Sequence, residues 1–515
     1  MAAFVVRRLI ASLFILLAAT YLMYILVSFS GDPLEDLRTG NAPNKQALID
    51  ARTALLHLDV TPWLRYFIWL VGYFPQPGVF EGGAIFGDLG QSIQNAPVNT
   101  LLAQAASATI QLVSVSNITA VVLGLVIGIT TALRQYSGYD YGVTFLSFLF
   151  FSLPIFWVAV LLKQYLAIGF NDFLEAPDIA WWVIPLVAVV SGLIWMSIIP
   201  RRGAQRWATF GIAAVATGAV VTWMKLSNWF ETPELGYFGM AVTMLGAALL
   251  VTLISTGFKK RRALYTSLGM AAFGMAISYP FMSYTIGFTW WMWLLTGVVI
   301  VALGYAAGWY FGGNDRRPIA RTVAITGFFV WAILSLNRFM TVWPQYANSG
   351  RIKNRPIATI GSATPGLEGS LWVHGVDFFT HLLLPTVALI LISFATYTRY
   401  SRASLLEVMN QDYIRTARAK GLTERTVIVR HAFRNALIPI ATIVAFDIGG
   451  LIGGAVITER VFGWTGMGQL FVNGLDHVDP NPVMAFFIVT GGLAILFNLI
   501  ADLAYAGLDP RIRVS

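Results

Sequence analysis

The sequence is a succession of twelve apolar runs, near 9–30, 102–133, 141–169, 180–199, 206–225, 238–257, 264–282, 290–311, 319–340, 381–398, 436–458 and 483–505. A helix needs about twenty apolar residues to cross the ~30 Å hydrocarbon core of a bilayer, and only helices or closed barrels satisfy their backbone there. Apolar residues make up 57% of the 515 and charged ones 11%, with mean hydropathy +0.69, which excludes a soluble globular enzyme. The chain is therefore expected to be an all-α polytopic membrane protein. Its net charge of +9 does not argue for nucleic acid, because 23 of the 34 Lys and Arg fall in segments that alternate onto one face. That is the positive-inside asymmetry, with both termini cytoplasmic. With no cysteine, the chain has no disulfide, thiolate metal site or cysteine nucleophile.

The longest polar stretch is 399–439, RYSRASLLEVMNQDYIRTARAKGLTERTVIVRHAFRNALIP. Arg399, Arg402, Arg415, Arg418, Lys420, Arg425, Arg430 and Arg434 face only Glu407, Asp412 and Glu424, a balance of about +5. Asp412 is placed to cap a short helix, Gly421 to end it in the left-handed conformation, and Thr423 to cap the next helix. Ile414, Ala417 and Gly421 share one face, which predicts close approach to another protein, rimmed by Arg415, Arg418 and Lys420.

DYIRTARAKGLTERTVIVRHAFRNALIP resembles the cytoplasmic signature loop of binding-protein-dependent ABC importer permeases, in its peptide-permease form. The general family motif has an acidic residue six positions before its glycine. Here that position is Arg415, as in the peptide branch. The resemblance implies a type I ABC importer permease core of six spans. It also implies that Asp412, Tyr413, Ile414, Arg415, Ala417, Arg418, Ala419, Lys420 and Gly421 form the coupling helix, seated in a cleft of an ATPase subunit.

The rest of the chain fits this core around one insertion. Arg7 and Arg8 precede an uncleaved first span (1–30), and Gly31, Asp32 and Pro33 match how that span ends in peptide permeases. An extracytoplasmic segment, 31–100, resembles the family's outer domain in 56–70 and 87–98. There Trp63, Tyr66 and Trp69 are expected to pack locally and anchor at the interface. Core spans two and three occupy 101–175, with FSLPIFW at 151–157 similar to the family's third span. Lys163 is expected to snorkel to the interface.

About 170 residues, 176–345, then intervene where the family has a modest loop. Basic turns at 201–206, 259–262 and 314–321 alternate with 227–236 and 283–289, which lack Lys and Arg. That pattern predicts six extra spans, about twelve in total, and an even number is needed to return the chain outside at 346–380. Tyr279 and Pro280 weaken 264–282, so four inserted spans with a re-entrant pair are the alternative. Core spans four to six, 381–515, carry the coupling loop, 399–435.

After that loop, 443–470 again resembles the family. Gly449, Gly450, Gly453 and Gly454 permit tight helix packing. Glu459, Phe462, Gly463, Trp464, Gly466, Met467 and Gly468 match the segment after span five, and LDPRIR (508–513) matches the family's end. Asp447 lies inside a span, where a charge is costly unless paired or facing water. It either lines the translocation path or has a structural partner. Gln111, Ser114 and Asn117 in span two either line the path or bridge helices.

No G-x-x-x-x-G-K-[ST], G-x-S-x-G or H-x-x-x-H occurs. The chain is expected to bind no cofactor and catalyse nothing, with ATP and magnesium held by partners. The resemblance implies those partners: a second homologous permease, two ATPase subunits or domains, and an extracytoplasmic substrate-binding protein. It implies uptake of di- or oligopeptides by alternating access across a bacterial or archaeal cytoplasmic membrane. Nickel complexes or other small solutes are the alternative cargo, and a membrane-embedded enzyme or lipid-handling protein is the alternative class.

Overall fold

A computed structural model describes residues 2–40, 43–76, 79–199 and 203–508. These form two compact units, one from 1–164, 360–362 and 382–515, the other from 165–359 and 363–381.

The first unit opens with α1 (Ala2–Phe29), α2 (Glu35–Thr39), α3 (Lys45–Leu55) and α4 (Pro62–Val71). A hairpin of β1 (Gly72–Gln76) and β2 (Val79–Gly82) is the one departure from helix among the described elements. Tyr66 and Trp69 of α4 bury their rings against Tyr24 of α1, and the Tyr66 hydroxyl lies 2.9 Å from Thr20 Oγ1. Local packing thus accounts for these two aromatics, while Trp63 stays half exposed beside Tyr21 and Phe29.

Next come α5 (Val98–Ala132), α6 (Gly138–Ser152) and α7 (Ile155–Leu161). The expected single third span is broken within FSLPIFW, where the chain turns by 105°. Pro154 has no N–H and forces Leu153 to extended backbone (φ −85°, ψ 130°), so the helix cannot run through. Instead of reaching free solvent, the Lys163 ammonium donates to the Val461 carbonyl at 3.4 Å.

The second unit holds α8 (Gly169–Glu175), α9 (Val183–Ile198), α10 (Ala204–Leu226), α11 (Gly236–Ser255), α12 (Arg261–Tyr284), α13 (Trp290–Phe311) and α14 (Arg316–Ala347). All six inserted runs are helices, and α12 continues unbroken past Pro280. Its central member is α14, against which α11, α12 and α13 pack. Gly304 and Gly308 allow the α13–α14 approach: a Cβ at either would lie 2.8 Å from Val323 O or 2.6 Å from Ala320 Cα. The unit is wider than the 176–345 insert because Asn171 exchanges two hydrogen bonds with the Ile357 backbone, both at 2.9 Å. Arg355 adds ion pairs to Asp172 and Glu175 at 3.3 and 3.1 Å.

The remaining helices are α15 (Leu371–Met409), α16 (Asp412–Ala419), α17 (Glu424–Thr426), α18 (Phe433–Gly454), α19 (Val456–Phe462), α20 (Met467–Asp476) and α21 (Pro480–Leu508). Eight helices among the described residues are long and apolar enough to cross a membrane, or nine if the bent pair is one span. The expected twelve are not reached by that measure: α9 has 16 residues, and α12 is not among the eight. The polytopic all-α class stands, without that count.

Candidate coupling loop and path residues

The candidate coupling loop, 399–435, takes in the last turns of α15, which ends at Met409, and then α16. Gln411 has extended backbone (φ −72°, ψ 149°) and is the N-cap of α16, so Asp412 sits inside the first turn and is not the cap. Its charge still favours the helix N-terminus. The other end matches the expectation. Gly421 has φ +75°, its N–H reaches Arg418 O at 2.9 Å, and the Leu422 N–H reaches Ala417 O at 3.4 Å. These two bonds form a Schellman motif, which a residue in the left-handed conformation makes possible. Thr423 caps α17 by accepting from Thr426 N, and Arg418 clamps Glu424 at 3.2 and 2.7 Å.

The face of α16 differs from expectation. Ile414 is fully buried and Ala417 is 6% exposed, in a cluster with Ala132, Leu405, Val427, Ala432 and Ala436. The small-residue face therefore docks onto the chain's own helices. Asp412, Tyr413, Arg415, Arg418, Ala419, Lys420 and Gly421 are exposed. The Tyr413 hydroxyl, fixed by a 2.9 Å bond from Asn435 Nδ2, stands among them. Apolar burial decides this orientation. Ile414 loses about 2 kcal/mol if left in water, whereas charged side chains resist burial.

The four path candidates separate. Gln111 and Ser114 are exposed on one face of α5, with Gln111 Nε2 3.5 Å from Ser107 Oγ. Asn117 points elsewhere: it is buried, and its Oδ1 accepts from the Tyr397 hydroxyl at 2.9 Å. The same hydroxyl lies beside the partly exposed Asp447 carboxylate, so its single proton serves either Asn117 Oδ1 or Asp447. Asp447 thus has a polar neighbour and a partly open side. Gly449, Gly450, Gly453 and Gly454 lie in α18, but their packing falls outside the described side chains.

Residues 316–514 match the family model described as the binding-protein-dependent transport system inner membrane component. The chain belongs to this family. The match starts at the first residue of α14, inside the stretch expected to be insertion. The oligopeptide transport system permease protein OppB of Mycobacterium tuberculosis is 39% identical over 222 residues, 43% of this chain and 66% of its own length. A putative peptide permease protein of Brucella ovis is 41% identical over 36% of this chain and 58% of its own length. The dipeptide transport system permease protein DppB of Escherichia coli K12 is 34% identical over 37% of this chain and 59% of its own length. The chain thus spans about two thirds of these relatives, or somewhat less.

The glycines that follow Glu459 have a physical reason. Glu459 is fully buried and accepts from Thr109 Oγ1 and Gly468 N at 2.6 Å and from Gln469 N at 3.2 Å. Its carboxylate sits on the N-terminus of α20, where backbone amides and the helix dipole favour negative charge. A Cβ at Gly466 would fall 2.4 Å from Glu459 Cδ, and one at Gly468 would fall 2.7 Å from Oε2. Gly463 (φ +56°) turns the chain so that Trp464 is buried and donates to Ala108 O at 3.0 Å.

Two further links were not singled out from sequence. Asp140 and Arg402 join the start of α6 to α15. Gly124 and Gly128 let α5 meet α15, since a Cβ there would fall 2.4 Å from Tyr397 Cβ and 1.9 Å from Ser401 Oγ. The G-x-x-x-G spacing in 124–128 was the available signal for the second.

Proposed function

We propose that the chain is the membrane subunit of an ATP-driven importer of di- or oligopeptides, coupled to separate ATPase subunits by α16. The observation that carries this is the exposed ridge of α16, Tyr413, Arg415 and Lys420, held on a buried Ile414–Ala417 base and ended by Gly421. Such a rigid, projecting element can transmit displacement, because its base is packed into the core. The peptide cargo rests on the printed functions of the mycobacterial, Brucella and E. coli relatives.

In this reading, a second homologous permease completes the path and an extracytoplasmic binding protein delivers peptide. Two ATPase subunits hold ATP and magnesium. ATP-driven closure of the ATPases moves α16, and the spans alternate between outward and inward access. Asp447, with its partly open carboxylate, attracts the peptide's amino group.

The test is to purify the tagged chain in mild detergent and identify what accompanies it. A second permease, ATPase subunits and a peptide-loaded binding protein are expected. A chain that purifies alone, with no ATP-dependent peptide uptake after reconstitution, overturns the reading.

A further inference from the structure

α12 and α13 each pack more closely on α14 than on each other, and a groove of about 690 Å³ lies between them. Its walls include Phe273 on α12 and Leu303, Ala307 and Phe311 on α13, and its one charged lining residue is Arg262. Along α12 the groove runs eleven residues from Arg262 to Phe273, about 17 Å at 1.5 Å per residue. That is close to one leaflet of a ~30 Å hydrocarbon core.

The charged end is strongly positive. Lys259, Lys260, Arg261, Arg262, Arg316, Arg317 and Arg321 gather in the turns at 259–262 and 314–321, against the single acid Asp315, a net +6. Asp315 is engaged by Lys260 at 2.7 Å. Arg262 is set by Gly313, which has φ +59°, and a Cβ there would fall 1.6 Å from Arg262 Nη1. The guanidinium therefore lies on bare backbone at the mouth of the groove. By the positive-inside asymmetry this end faces the cytoplasm.

We propose that the α12–α13 groove is a binding site for an anionic phospholipid of the inner leaflet, its phosphate on Arg262 and one acyl chain along Phe273, Leu303 and Phe311. A purely apolar partner would not account for the basic mouth, and a soluble anion would not account for the leaflet-deep apolar wall. Both features together match a charged head on a hydrocarbon tail.

Gly269 lies on the groove wall, and a Cβ there meets no atom within 4 Å, so the side chain of Gly269→Trp starts out into the groove. The full chain, delipidated in detergent, is titrated with dioleoyl phosphatidylglycerol or dioleoyl phosphatidylcholine and weighed by native mass spectrometry. Phosphatidylglycerol is expected to bind more tightly. Arg262→Gln should weaken it about fivefold, the attraction of one basic side chain, and Gly269→Trp should reduce binding of both lipids. Equal retention of the two lipids by wild type, or no change in either variant, overturns the site.

A second measurement does not depend on the bulky variant folding. The chain has no cysteine, so Gly269→Cys places a single thiol in the groove. Added phosphatidylglycerol should protect it from a membrane-permeant maleimide. If a maleimide–benzophenone reagent on that thiol, once irradiated, couples to another protein subunit in the membrane instead, the groove is a protein interface and the lipid proposal fails.

Discussion

Asp140 and Arg402, 262 residues apart in sequence, form a two-pronged ion pair at 2.9 and 3.0 Å, with the Asp140 carboxylate buried. The same carboxylate accepts from Tyr136 N at 3.1 Å, while Asp140 N donates to Ser137 Oγ at 3.2 Å. This reciprocal capping fixes the turn between α5 and α6, and the ion pair fixes that turn to α15. Removing the cation leaves a buried charge alone, a loss of roughly 3 kcal/mol, at the low end of the usual range because Arg402 is partly exposed. Arg402→Gln should lower the melting temperature of the detergent-solubilised chain by several degrees. Asp140→Asn combined with Arg402→Gln should recover most of it. An additive loss in the double variant would mean that the pair contributes no coupling.

Gly421 tests the coupling helix. A β-branched residue at φ +75° is strained by roughly 1–3 kcal/mol. Because no atom lies within 4 Å of a Cβ there, the strain is in the backbone and not a clash. Gly421→Val should unwind the Schellman end of α16 and reduce ATP-driven peptide uptake by tenfold or more, with normal membrane levels on an immunoblot. Gly421→Asn, which tolerates this conformation, should retain much of the uptake. Normal uptake by the valine variant would remove the coupling role from α16.

Glu459 tests the reason for the glycines that follow it. An amide in place of the carboxylate either sets its NH2 against the Gly468 and Gln469 N–H groups, donor to donor, or faces Thr109 with it and ends the hydroxyl's donation to Oε1. Glu459→Gln should cost roughly 1–3 kcal/mol, read as earlier thermal unfolding with the helix content of the folded state unchanged. Gly466→Ala should have a similar effect, because its Cβ falls 2.4 Å from Glu459 Cδ. Wild-type unfolding in both variants would show that the contact is dispensable.

Asp479 gives a pH dependence. Burial pushes its carboxyl up to about 6, against hydrogen bonds from Ile93 N and Asn481 N and the positive charge of Arg52. A carboxyl raised on folding contributes stability in its protonated form, in full below its unfolded value near 4. That contribution is lost as pH rises through 6, by roughly 2–3 kcal/mol. Relative to Asp479→Asn, which cannot ionise, the wild-type outer segment should exchange amide hydrogens around Ile93 more readily at pH 7.5 than at pH 4.5. A gap between the two proteins that does not change with pH would count against the buried-acid reading.

Asp447 tests the path. Its side chain lies beside Tyr397 and is partly exposed. Asp447→Asn should reduce uptake of peptides with free amino termini more than of their N-acetylated forms, with the ATPase still co-purifying. Loss of assembly instead would make Asp447 a structural residue only.

The sequence by itself determined what is local. Apolar runs longer than a bilayer's half-thickness must be helices, because backbone groups have no other partner in lipid. The turn after α16 needed a left-handed residue, and glycine at 421 announced it. Pro154 marked a break that run length alone concealed. Tertiary structure alone decided which partners meet. Ile414 and Ala417 look inward because Leu405, Val427 and Ala436 cover them, and a helical face read from spacing does not say what it faces. Asn117 is a bridge and not an open path residue because Tyr397, 280 residues on, reaches it. Glu459 is a buried anchor because α20 presents its amides to it. Spacing encodes a face, but burial and hydrogen bonding depend on the element that arrives to cover it.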